Sequence, residues 1–129
     1  MAASAELFEA ARDAMRQAHV PYSSFPVGAA IRTESGKLFS GANIENASYP
    51  EGWCAETSAI AHMVMAGERR IAEVAVVAEK MARVTPCGGC RQRLREFGAA
   101  STRIHLCDAS GIVETVTLGE LLPKAFELG

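Results

Sequence analysis

Helical and strand-like periodicities alternate along the whole chain with no linker, repeat or low-complexity stretch, and that order leaves few folds open. Leu7, Ala11, Ala14, Met15 and Ala18 recur at helical spacing over residues 4–18, with Pro21 just beyond. Residues 27–31 read as a buried strand, Glu34-Ser35-Gly36-Lys37 as a turn, and 38–42 as the returning strand of a hairpin. The stretch 54–66 is rich in Ala and Met, carries no Pro or Gly, and stops at Gly67, as a helix does. Val74, Val76 and Val77 mark a strand over 73–79. The turn Thr85-Pro86-Cys87-Gly88-Gly89-Cys90 then opens a helix that runs through Phe97 to Gly98. Residues 103–107 and 112–116 are strands about the turn Asp108-Ala109-Ser110-Gly111, and a short helix over 118–122 precedes Pro123. The order α-β-β-α-β-α-β-β-α predicts an α/β domain, one sheet covered by helices on its faces. Strand order is not contained in these patterns.

A chain of 129 residues fits a single domain spanning 1–129, and folding at that size hides roughly two-thirds of the surface of the extended chain. The balance of 13 Lys and Arg against 15 Asp and Glu, net charge −2, speaks against a nucleic-acid binder, which needs a basic surplus to meet phosphates. No apolar run approaches the ~20 residues that span a bilayer, so no membrane partner is expected. Met1-Ala2-Ala3-Ser4-Ala5-Glu6 lacks the basic start and apolar stretch of a signal peptide, which makes the cytoplasm the expected location.

In a reducing compartment, four cysteines read better as metal ligands, reactive thiols or core residues than as disulfides. Cys107, within Ile104-His105-Leu106-Cys107, reads as a buried strand residue. Cys54, Cys87 and Cys90 instead sit at predicted helix starts, where unpaired N–H groups and the positive dipole end favour thiolate, the form that binds zinc. Cys87-Gly88-Gly89-Cys90 can bring two sulfurs to one ion, and Cys54 can add a third. Three protein ligands leave the fourth position open, as in catalytic zinc sites.

Glu56, two residues after Cys54, turns a metal site into a reaction hypothesis. In the first helical turn it can take a proton from activated water and deliver it to a substrate nitrogen. A lone Glu there is more often a capping acid. Taken alone, Cys-x-x-Cys is equally open to a dithiol redox motif or a structural zinc knuckle. A redox motif needs neither Cys54 nor Glu56, and a knuckle would want a close fourth ligand. His62 lies eight residues past Cys54 and reads as a helix-face residue, while His19 and His105 lack companion ligands and read as structural or exposed.

The motifs Asn43-Ile44-Glu45-Asn46-Ala47-Ser48-Tyr49, Cys54-Ala55-Glu56 and Pro86-Cys87-Gly88-Gly89-Cys90-Arg91-Gln92 resemble those of the small homotetrameric cytidine deaminases. Pro21-Tyr22-Ser23-x-Phe25-x-Val27-Gly28-Ala29-Ala30 and Leu121-Leu122-Pro123-x-x-Phe126 follow the same pattern, so the resemblance spans almost the whole chain. It implies a three-layer α-β-α fold with a mixed sheet of about five strands, and one zinc ion per chain on Cys54, Cys87 and Cys90. It implies that Glu56 protonates the ring at N3 and helps ammonia leave. It further implies that Asn43 and Glu45 hold the ribose 3′-hydroxyl, that Phe25 packs on the pyrimidine, that Ala55 contacts substrate, and that Phe126 reaches a neighbouring subunit's active site.

The function implied is hydrolytic deamination of cytidine and 2′-deoxycytidine to uridine and 2′-deoxyuridine, a step of pyrimidine salvage, with a small nucleoside as partner. Two rivals stand beside it: a deaminase of a modified cytosine nucleoside such as blasticidin S, and a non-catalytic structural-zinc module. One departure is visible. Family members often carry Arg directly after Cys-Ala-Glu, and this chain has Thr57. Three thiolates then need another cation beside them, and Arg91, next to Cys90, is the candidate the sequence offers, with the Thr57 hydroxyl adding a weaker bond.

Overall fold

The computed structural model describes residues 2–128 and gives the predicted order of elements. Helix α1 spans Ala2–Met15, strands β1 and β2 span Val27–Thr33 and Leu38–Ala42, and α2 spans Ala55–Met65. Strand β3 is Ile71–Ala78, α3 is Gly88–Phe97, β4 and β5 are Arg103–Asp108 and Gly111–Thr117, and α4 is Leu118–Leu121. The five strands form one mixed sheet in the order β2-β1-β3-β4-β5. β3 and β4 run parallel with α3 crossing between them, and all other neighbours are antiparallel. This is the α/β architecture that the pattern of elements implied.

Alternation along the strands divides the core into two layers. Leu7, Phe8, Ala11 and Met15 of α1 pack on Ala30, Ala75, Val77 and Cys107 of one sheet face. Ala29, Ile31, Val74, Val76, Ile104 and Leu106 point the other way, onto Ala59, Ile60 and Met63 of α2 and Leu94 of α3. Two glycines let helices sit close. A Cβ at Gly28 would overlap the Ala11 carbonyl oxygen of α1, and one at Gly41 would come within 2.5 Å of the Ala59 nitrogen of α2. The first helix ends at Met15 rather than reaching Ala18, because the chain there closes into successive turns, Gln17 N–H to Ala14 O and Ala18 N–H to Met15 O. A 3-10 turn at Tyr49–Glu51, which the sequence pattern did not show, leads the chain towards α2.

On the α1 side of the sheet lies a buried charge cluster. Glu73 of β3 is 4% exposed, and its Oε1 meets His105 Nε2 at 2.7 Å. His105 Nδ1 pairs with Thr115 Oγ1 at 2.8 Å, so the histidine is buried and structural. Arg32 Nε lies 3.4 Å from Glu73 Oε2, Arg103 NH2 lies 3.6 Å from Oε1, and Arg32 NH2 donates onward to Ala3 O and Glu6 Oε1 of α1. Removing one member of a buried ionic network strands the rest without compensation. Glu73→Gln is therefore expected to cost about 3 kcal/mol, roughly 10 °C in Tm for a domain of this size, in a thermal melt at neutral pH. A melt within 2 °C of wild type would show that the cluster contributes little.

Candidate metal centre and active site

Two helix starts meet at one end of the sheet. Cys54 is the N-cap of α2 and Cys87 the N-cap of α3, and neither side chain caps its own helix. Both backbones are extended at the cap, and their carbonyls accept the first helical bonds, from Ser58 N–H at 3.1 Å and Arg91 N–H at 3.0 Å. The sulfurs are thus not engaged in capping their own helices, whose N-termini carry the positive end of the helix dipole. Cys90, in the first turn of α3, brings a third sulfur to the same point.

The three sulfurs lie within 4.8 Å of one another, with Cys54 Sγ and Cys87 Sγ 3.6 Å apart. Zn–S bonds of about 2.3 Å in a tetrahedron put sulfurs about 3.8 Å apart, so this donor set fits zinc in both chemistry and spacing. Among the described residues it is the one group of His, Cys, Asp and Glu gathered closely enough to hold a metal ion. Hydrogen bonding from Cys90 lowers the Cys54 thiol, while the same contact and burial raise Cys90. Cys107, by contrast, lies buried in β4 and is pushed up to about 12 by burial, the inert core thiol that its apolar neighbours indicated.

Two members of the sulfur triad, Cys54 and Cys87, line a cavity of about 150 Å³ with Val27, Asn43, Ala55, Glu56, Val84 and Thr85, while Cys90 is buried. Glu56 is 4% exposed, and burial raises its carboxyl, opposed by its own backbone N–H and the charge of Arg93. A carboxyl whose protonated form is favoured by burial, beside a metal position, suits proton transfer.

The other expected site residues fall in several places. Asn43 lines the cavity, and its amide also ties the 25–27 segment down, with Nδ2 donating to Phe25 O at 2.9 Å and Oδ1 accepting from Val27 N–H at 2.9 Å. Glu45 lines a larger hollow of about 330 Å³ with Tyr22, Ser23, Asn46, Tyr49 and Gly52. Its carboxylate accepts from Tyr22 N–H, Ser23 N–H and the Ser23 hydroxyl, and the hydroxyl bond foremost holds it below the usual carboxylate range. Phe25 is half-buried on the same loop. Phe126 is 70% exposed, its carbonyl accepting from Gln92 Nε2 at 3.1 Å. His62 is exposed on α2, its ring edge-on to Phe39.

Arg91 requires a correction. Its guanidinium turns away from the sulfurs, Nε donating to Pro86 O at 2.7 Å and NH1 to Leu121 O at 2.9 Å. Arg93, which the sequence reasoning passed over, donates from NH1 to Cys90 Sγ at 3.7 Å. The reason is helical phase. Position 91 is about 100° round the helix from Cys90, whereas position 93 lies three residues on and shares its face. Thr57 Oγ1 lies 3.7 Å from the same sulfur.

An α/β sheet carrying three cysteine sulfurs spaced for zinc, with a buried carboxyl on the same cavity, is the arrangement of a zinc hydrolase. The comparisons make the class specific. A family model described as the cytidine and deoxycytidylate deaminase zinc-binding region matches residues 1–106, and the chain belongs to that family. It is 43% identical to the cytidine deaminase of Sporosarcina psychrophila over 121 residues, covering 94% of this chain and 89% of that one. The cytidine deaminase of Halalkalibacterium halodurans is also 43% identical, over 93% of this chain and 91% of its own. The crystal structure of cytidine deaminase from Burkholderia pseudomallei superposes with a TM-score of 0.88 at 44% identity, covering 94% and 97% of the two chains.

Proposed function

We propose that this chain catalyses the zinc-dependent hydrolytic deamination of cytidine and 2′-deoxycytidine, releasing ammonia. The observation that carries this reading is the placement of Glu56 on one cavity with Cys54 and Cys87 of the three-sulfur cage. Zinc held by Cys54, Cys87 and Cys90 would act as a Lewis acid that makes water nucleophilic near neutral pH. A cavity of this volume takes one six-membered ring. Glu56 accepts a proton from water and passes it to ring N3. It then takes the remaining proton from the hydroxyl added at C4 and gives it to the amino group, which leaves as ammonia as C4 becomes a carbonyl. A closed structural-zinc site is not favoured, since the cage supplies three ligands rather than four and such a site gives no reason to bury Glu56. The assay is loss of cytidine absorbance in the ultraviolet with zinc-replete protein. No turnover of cytidine or deoxycytidine would overturn the reading, and turnover of blasticidin S alone would move it to the modified-nucleoside rival.

Asn43 and Glu45 are assigned to the ribose. Asn43 keeps one amide hydrogen and one lone pair beyond its two loop bonds, and the Glu45 carboxylate retains acceptor capacity after its three. Both therefore shape the 22–27 loop while keeping a free position for a sugar hydroxyl, and Phe25 is carried on that loop to pack against the ring. Glu45→Ala is expected to lower kcat/KM for cytidine about ten- to a hundredfold with zinc content unchanged. Unchanged kinetics would place the ribose elsewhere.

The assembly assigned is a homotetramer in the cytoplasm, serving pyrimidine salvage, with Phe126 entering a neighbour's site. The exposure of Phe126 at 70%, together with exposed Tyr49, Trp53 and Leu128, gives the single chain apolar surface that subunits would cover. Among the described residues no helix is long and apolar enough to cross a membrane.

A further inference from the structure

With zinc bound, the three cysteines would be thiolates, and they would share one small volume with the Glu56 carboxyl. A divalent ion cancels only part of that negative charge, and excess donor charge weakens the ion as a Lewis acid. The helix N-termini behind Cys54 and Cys87 supply partial positive charge. Arg91 makes no bond to the sulfurs: its Nε donates to Pro86 O and its NH1 to Leu121 O.

Arg93 is placed differently. Its NH1 lies 3.7 Å from the sulfur of Cys90, a buried ligand. The guanidinium lies close over Gly89, where a Cβ would come within 3.2 Å of NH1 and 3.6 Å of Cζ and NH2. That glycine leaves the room in which the planar fork settles against the metal loop. Among the described residues no carboxylate lies within ion-pair distance of Arg93, although its charge also bears at longer range on Glu56. From the opposite helix, Thr57 Oγ1 approaches the same sulfur at 3.7 Å. Cys90 Sγ is thus supported from α3 by a cation and from α2 by a neutral hydroxyl.

We propose that Arg93, seated over Gly89, is the positioning residue that compensates the charge of the thiolate cage through Cys90, retaining the ion and keeping it acidic without touching substrate. The proposal rests on the reading that Cys54, Cys87 and Cys90 hold zinc. Because Thr57 faces the same sulfur, a guanidinium introduced there can take over the task from the other helix.

The test uses zinc-loaded wild type, Arg93→Met, Arg93→Lys, Gly89→Ala, and Arg93→Met combined with Thr57→Arg. The readouts are the rate of zinc transfer to a chromophoric chelator and kcat at saturating cytidine. Arg93→Met, which keeps the stem and loses the charge, is expected to release zinc at least tenfold faster and to lose about tenfold in kcat with KM little changed. Arg93→Lys should recover part of both. Gly89→Ala, which displaces the guanidinium and leaves the residue in place, should fall between. Thr57→Arg in the Arg93→Met background should restore slow zinc release. A residue that merely supported the helix would lower Tm, and adding Thr57→Arg would not rescue its loss. Zinc release from Arg93→Met and Gly89→Ala within twofold of wild type overturns the proposal, as does failure of Thr57→Arg to slow it. Wild type that binds no zinc is a separate result, and it overturns the metal reading itself.

Discussion

Glu56→Gln is expected to fold, bind one zinc per chain and lose at least about a thousandfold in kcat, some 4 kcal/mol of barrier. The amide has nearly the shape of the acid and can occupy the same buried position in the first turn of α2. What it cannot do is accept a proton on one side of the reaction and release it on the other. Burial already raises the native carboxyl, so an uncharged side chain there costs the fold little. Metal content, a thermal melt and steady-state kinetics on the same preparation check the three parts together. A variant that retains more than a tenth of the wild-type kcat would remove Glu56 from the proton path.

Cys87→Ala is expected to empty the metal site and abolish activity. Zinc affinities of about 10–16 kcal/mol shared over four ligands assign each roughly 2.5–4 kcal/mol, a loss of about a hundred- to a thousandfold in affinity. Cys87 is exposed and caps α3 without a side-chain bond of its own, so its removal leaves no core cavity. The effect should therefore appear in metal content measured after dialysis against a competing chelator, and in a melt resembling that of wild type stripped of zinc. Zinc at one per chain with activity intact would strike Cys87 from the ligand set.

The element order and the ligand triad were legible in the sequence because both rest on local signals. The apolar run about Val74, Val76 and Val77 announces its strand, read as 73–79 and formed by Ile71–Ala78, and Cys54 and Cys87 stand at helix starts that turn residues and Gly or Pro mark. What escaped depends on partners distant in the chain or on rotation about a helix. Adjacency favoured Arg91, yet helical phase hands the Cys90 contact to Arg93. His105 reads from the sequence only as structural or exposed, because Glu73, the partner that makes it structural, lies 32 residues away on a parallel neighbour strand. Asn43 and Glu45 were read for sugar chemistry alone, and their in-chain bonds to the 22–27 segment follow from a loop whose path no periodicity describes. The end of α1 was placed beyond Met15 because Ala18 continues the apolar spacing after the backbone has left the helix.

The charge cluster beneath α1 makes this layer of the fold sensitive to acid on its own account. Burial works to raise the Glu73 carboxyl, but the His105 hydrogen bond and the charges of His105, Arg103 and Arg32 outweigh it and hold it below the ordinary carboxylate range. A carboxyl lowered on folding contributes stability that is fully present above its unfolded value and is lost as pH falls through the folded one. Once Glu73 is protonated, Arg32 loses its partner in the sheet, and with it the firm seat from which it reaches Ala3 and Glu6 of α1. The acid sensitivity of that layer is thus written into β1, β3 and β4, on the face away from α2 and α3.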